Sequence, residues 1–148
     1  YLNQVGNKAV VNFDSFNISA GHDVQLRQVH QLPAGFNDPA ALVSGANFST
    51  LALIHDLNPS IIAGGIDQAV GQKANMILVN SNGIAFMNGS QVNLNSFTAS
   101  TLNMQERFLD TFLPQGETSP QFEGALGGGA ARGFIKVMEG ARITAGSA

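Results

Sequence analysis

Three histidines (His22, His30, His55) and ten carboxylates are the side chains here best able to hold a metal or move a proton. The histidines fall neither in a His-Glu-x-x-His pattern nor at ligand spacing from one another or from acidic residues, so no metal centre is expected. Glycan cleavage needs two carboxylates flanking one bond, usually with Arg along a groove. The acidic residues here are dispersed from Asp14 to Glu139, and the chain is short for such a groove. Gly127-Gly128-Gly129 lacks the Gly-Lys-Ser/Thr of a phosphate loop, and Ser100 sits in Ala99-Ser100-Thr101 rather than in a Gly-x-Ser-x-Gly elbow. The sequence therefore predicts no catalytic residue and no cofactor.

The informative residues are amides and glycines. Asn80-Ser81-Asn82-Gly83-Ile84-Ala85-Phe86-Met87-Asn88-Gly89-Ser90-Gln91-Val92-Asn93-Leu94 reads as short strands broken by Asn and Gly turns. Asn82-Gly83 suits a backbone turn of positive φ between strands on different sides of a coil. Asn80, Asn82, Asn88, Asn93, Asn95 and Asn103 are candidate corners, where a side-chain amide can satisfy backbone groups and Asn tolerates left-handed dihedrals.

Composition agrees. The protein has 148 residues, 44% hydrophobic and only 11% charged, against an ordinary charged share of about 25%. One domain is expected, with uncharged polar residues covering its faces. Net charge is −3 and the seven basic residues form no patch, which argues against nucleic acid as a partner. Cysteine is absent, so disulfides are excluded. The longest apolar runs fall far short of the ~20 residues that cross a bilayer, so no direct membrane insertion is expected. The start at Tyr1-Leu2-Asn3-Gln4 and the end at Gly146-Ser147-Ala148 read as a mature or excised piece, 1–148, with further coils expected after it.

Along the sequence, Ala9 to Ile18 alternates with a phase change at Asp14-Ser15, and Val24 and Leu26 share one face of the next run. Between Leu32 and Ser49, Pro and Gly predict a loop outside the core. Runs of four or five residues follow at Leu51 to Ile54, Ile61-Ile62 and Met76 to Val79. Met104, Phe108 and Phe112, four apart, predict one helical turn face ended by Pro114. Gln115 to Arg132 reads as an excursion, and two alternating strands about Glu139-Gly140 look like the sides of a fresh coil. Strand-turn units recur without the long helices a doubly wound sheet requires, which favours an all-β solenoid.

These residues carry a resemblance. Asn12, Phe13, Phe16, Asn17 and Ile18 resemble the opening segment of the N-terminal two-partner secretion domain of filamentous-haemagglutinin-type exoproteins, with Phe13 where Trp is usual. Leu53-Ile54-His55-Asp56-Leu57-Asn58-Pro59-Ser60-Ile61-Ile62-Ala63-Gly64-Gly65-Ile66 is similar to the central stretch, a strand followed by a Ser-Ile-x-Gly turn, with His55-Asp56 replacing an Asn-Arg pair. Asn80-Ser81-Asn82-Gly83-Ile84 resembles the hallmark Asn-Pro-Asn-Gly-Ile, with Ser81 for Pro, and Phe97 to Leu102, including Ser100 and Thr101, is similar to the end of that block.

The resemblance implies a right-handed parallel β-helix with an N-terminal cap and extra-helical hairpin or sheet excursions. It implies a monomeric, non-catalytic secretion-targeting and folding-initiation domain. Its expected partners are the periplasmic domains of a cognate outer-membrane barrel transporter and the downstream passenger, such as an adhesin, of a Gram-negative bacterium, bound for the cell surface or medium. Asn12, Phe13, Phe16, Asn17, Ile18, Asn58, Pro59, Asn80, Asn82, Gly83, Ile84, Ser100 and Thr101 are the candidate recognition or motif residues. The alternatives are a carbohydrate-active β-helix enzyme or a glycan-binding module. One Tyr, no Trp and ten Phe at core-like positions speak against the second.

Overall fold

The computed structural model describes residues 1–30, 42–104, 122–123 and 133–146. Among them the protein forms only strands and turns. β1 (Leu2–Gln4), β3 (Asp23–Gln28), β6 (Gly65–Gln68), β9 (Gln91–Leu94) and β14 (Arg142–Ala145) build one parallel sheet, in the order β1-β3-β6-β9-β14. A second parallel sheet holds β2 (Lys8–Phe13), β4 (Asn47–Ile54), β7 (Lys73–Asn80) and β10 (Ser96–Ser100), and a third holds β5 (Ser60–Ile62), β8 (Ile84–Phe86) and β13 (Ile135–Val137). From β2 onward the backbone visits the second, third and first sheets in turn, with Ile18 standing in for a third-sheet strand through its bridge to Ile62. This is an all-β fold of parallel β-helix type. β11 (Asn103–Met104) and β12 (Phe122–Glu123) form an antiparallel pair apart from the three sheets.

Alternation explains the strands. In β9, Val92 and Leu94 are buried while Gln91 and Asn93 are exposed; in β5, Ser60 and Ile62 are buried around Ile61. Parallel register then stacks like on like. Ile62 lies between Ile18 and Phe86, Phe86 is followed by Val137, and Val24, Ile66, Val92 and Ile143 form a column in the first sheet. Ile62, Ile66, Ile84 and Val92 are completely inaccessible, and each such side chain contributes about 1.5–3 kcal/mol by leaving water. Phe86 meets Phe97 edge to face at 5.8 Å.

The second sheet departs from the expected pattern. β4 and β7 run for eight residues each rather than four or five, and Asn47 to Ser49 belong to β4 rather than to a loop, with Ala46 and Phe48 in the core rather than outside it. The outward Leu51 and Val79 are buried with Val10, Leu53 and Ile77 in a second apolar cluster. A sheet covered on both faces reads as a continuous apolar run, which is the pattern of Leu51 to Ile54 and Met76 to Val79. β1 is too short for its alternation to have been legible. Met104, expected to open a helical face, lies in strand β11, while Phe108 and Phe112 and most of the 115–132 excursion lie outside the described residues.

Glycine, not asparagine, supplies the unusual backbone. Every positive φ among the described residues belongs to Gly, Gly83 at 122° among them. Asn at the corners works through its amide instead, since a side-chain hydrogen bond to backbone needs no left-handed dihedral. Asn93 and Asn103 are in strands rather than at corners.

Candidate functional site

The motif residues converge on the junction between the second and third sheets. β7 ends at Asn80, which is fully buried. Its Nδ2 donates to the Asn58 carbonyl at 3.1 Å and to Ser60 Oγ at 2.9 Å, and its Oδ1 accepts from the Asn82 backbone N–H at 2.9 Å. Asn82 Nδ2 donates to the Asp56 carbonyl at 2.6 Å. The two amides thus bind the corner of one coil to that of the coil before it.

That earlier corner is itself held by a carboxylate. Asp56 Oδ1 accepts from the Asn58 backbone N–H at 3.0 Å and from Asn58 Nδ2 at 3.2 Å, an Asx turn that shapes the approach to Pro59. Gly83 then passes so close to its neighbours that a Cβ would lie 3.4 Å from Pro59 Cβ and 3.1 Å from the Phe134 carbonyl oxygen. The backbone bonds continue the column, with Ser60 N–H donating to the Gly83 carbonyl at 2.9 Å and Ile84 N–H to the Phe134 carbonyl at 2.9 Å. Ile84 turns into the core. Thr101 reaches the same column from the far side, its Cγ2 lying 2.9 Å from where Gly133 would carry a Cβ.

The N-terminal candidates form a second group against the same coil. Phe13 and Phe16 pack edge to face at 5.1 Å, and Phe16 and Ile18 are buried. Asn17 Oδ1 accepts from the Ile61 N–H at 2.8 Å, and Asn12 Oδ1 meets His55 Nε2 at 2.8 Å. Ser100 stands apart, its Oγ exchanging hydrogen bonds with the backbone of Leu102.

Sequence reasoning missed several partners. Asp56 and Ser60 complete the corner, and the Asp-x-Asn spacing was a legible Asx signal. Buried Gln72 accepts from the Gln28 N–H at 3.0 Å and donates to the Gln28 and Val43 carbonyls at 2.9 and 2.7 Å, and no local pattern marks such a role. Thr50 Oγ1 donates to Gln4 Oε1 at 2.5 Å, fastening β1 to β4.

For chemistry the surface offers little enclosure. An open depression of about 370 Å³ on the first sheet is lined by Gln25, Asp67, Gln68, Asn93 and Thr144, where Asn93 Nδ2 donates to Asp67 Oδ1 at 3.1 Å. A second, of about 290 Å³, includes Asp23 and Asp67, which the parallel register brings near each other by setting Asp23 beside Gly65, two residues before Asp67. Among the described residues no group of three or more His, Asp or Glu is arranged to hold a metal.

A family model described as the TPS secretion domain matches residues 2–137. The chain belongs to the TPS secretion domain family. Comparison with curated proteins and with solved structures gives no match. As a TPS secretion domain, it is the secretion-targeting part of a two-partner secreted exoprotein, with a cognate outer-membrane transporter as its implied partner and export through the outer membrane as its route. The family is one of secretion domains, not of enzymes. The TPS domain carries its motif residues in the corner column and its flanks, where the amides of Asn12, Asn17, Asn80 and Asn82 join one coil to the next.

Proposed function

We propose that this TPS domain is recognised by the periplasmic domains of its transporter through its N-terminal segment, 9–29, while that segment is unfolded or incompletely folded. The partner adds to that segment as a neighbouring strand, with backbone hydrogen bonds supplying affinity and alternate side chains supplying register. The observation that carries this reading is the position of β2. It is an edge strand of the second sheet, with β4 as its one neighbour among the described residues, and it alternates at Val11 and Phe13. Asn12, Phe13, Phe16, Asn17 and Ile18 are the recognition residues on this reading. Asn58, Pro59, Asn80, Asn82, Gly83, Ile84, Ser100 and Thr101 serve it by building the coils that form after transfer.

Folding then proceeds from this domain into the passenger, an adhesin on this reading, at the cell surface. Its role involves no catalytic step. Ile135, Val137 and Ile143 are 46%, 54% and 42% exposed, yet they stack in register on Ile84, Phe86 and Val92, which are 0%, 1% and 0% exposed. Such half-covered rungs suit a further coil, each coil templating the next. The test is capture of the unfolded protein by the isolated periplasmic domains of the cognate transporter, with and without residues 9–29. Loss of capture on deletion is expected, and undiminished capture overturns the proposal.

A further inference from the structure

The sequence holds two Asn-Gly pairs, Asn82-Gly83 and Asn88-Gly89. Asn followed by Gly is chemically labile, because no substituent at the second residue hinders attack of its backbone nitrogen on the Asn amide carbon. The nitrogen loses its proton as it bonds to Cγ, the Cγ–Nδ2 bond breaks and ammonia leaves. One water then opens the five-membered succinimide to Asp or to isoaspartate. No oxidant or reductant is needed.

We infer that Asn82 is a deamidation site switched off by folding, and that its isoaspartate product blocks closure of the corner. In the folded domain both reacting groups are engaged. The Gly83 N–H donates to the Asn80 carbonyl at 3.1 Å, and the Asn82 amide is held by the Asp56 carbonyl at 2.6 Å. Gly83 is buried under Pro59 and Phe134. Bringing nitrogen and Cγ together requires breaking both bonds within a packed column. Asn88 differs, being exposed in a turn, and its following Gly89 N–H reaches the Gly140 carbonyl only at 3.3 Å.

The product damages one position in particular. An aspartate at 82 lacks the N–H that the Asp56 carbonyl accepts, and isoaspartate also lengthens the backbone by one methylene where Gly83 leaves no slack. A protein kept unfolded before export is exposed to this chemistry and a folded one is protected; that consequence rests on the export reading, whereas the chemistry does not.

The experiment incubates the whole protein in ¹⁸O water at mildly alkaline pH, folded in buffer and unfolded in guanidinium chloride, and follows both sites by peptide mass spectrometry. Comparable conversion of positions 82 and 88 is expected in the unfolded protein. In the folded protein, conversion at 82 is expected to slow at least fivefold and to fall behind 88. Less than fivefold protection overturns the inference. Molecules carrying isoaspartate at 82 are then isolated and refolded beside Asn82→Asp, which loses the donor but keeps the backbone length. Asn82→Asp is expected to fold with a lowered midpoint and the isoaspartate form to fail. Refolding of the isoaspartate form to the unmodified midpoint overturns the proposed effect on closure. If protection is found but the exported protein proves to be folded beforehand, the export reading fails and the modification site stands.

Discussion

The side-chain amide of Asn80, which ends β7, donates to the hydroxyl of Ser60, which begins β5, at 2.9 Å in a place where both residues are inaccessible to water. One bond therefore links the exit of one coil to a corner of the coil before it. The same amide also holds the Asn58 carbonyl, so the position is a node rather than a cap.

Replacing Asn80 by Ala leaves that carbonyl and hydroxyl without this donor in a buried site. A loss of about 1–3 kcal/mol is expected, read as a lower urea midpoint at unchanged m-value. Ser60→Ala combined with Asn80→Ala should cost less than the sum of the two, because the second change removes a group already stranded by the first.

Gly83 and Gly45 separate backbone strain from crowding. Gly45 has φ 65° and open space around its Cβ position, so Gly45→Ala should cost about 1–2 kcal/mol from the left-handed dihedral alone. Gly83 has φ 122°, beyond the left-handed well, and an added Cβ would press the Phe134 carbonyl at 3.1 Å. Gly83→Ala should lose roughly twice as much as Gly45→Ala in chemical denaturation.

Gly64 tests coil stacking. A Cβ there would collide with the His22 carbonyl and lie 2.6 Å from the Ser19 carbonyl, backbone that cannot swing aside. Gly64→Ala is expected to cost beyond roughly 4 kcal/mol, leaving little folded protein by circular dichroism. Gly21→Ala, at the neighbouring turn with open space, should stay folded.

Gln72 tests whether hydrogen bonding or volume matters at its buried site. Gln72→Leu keeps much of the volume but leaves the Gln28 N–H without its acceptor, so it should lose about 1–3 kcal/mol, much as Gln72→Ala does. A thermal midpoint for Gln72→Leu equal to that of the unaltered protein would show that the bonds contribute nothing.

The residues alone determined the strand-and-corner character. Alternation at Gln91 to Leu94, the turn at Asn82-Gly83, and the 133–137 and 141–145 strands as successive sides of one coil are local properties, set by a two-residue period and by turn chemistry. The Asn80 to Ile84 motif was legible for the same reason. Tertiary structure decided which groups the motif serves. That Asn80 grips Ser60, that Gln72 grips Gln28, and that Asp23 comes to lie beside Gly65 all depend on which residue of one coil lies over which residue of the last. That register is a long-range packing choice, made when apolar columns such as Ile18, Ile62 and Phe86 align, and no local pattern encodes it.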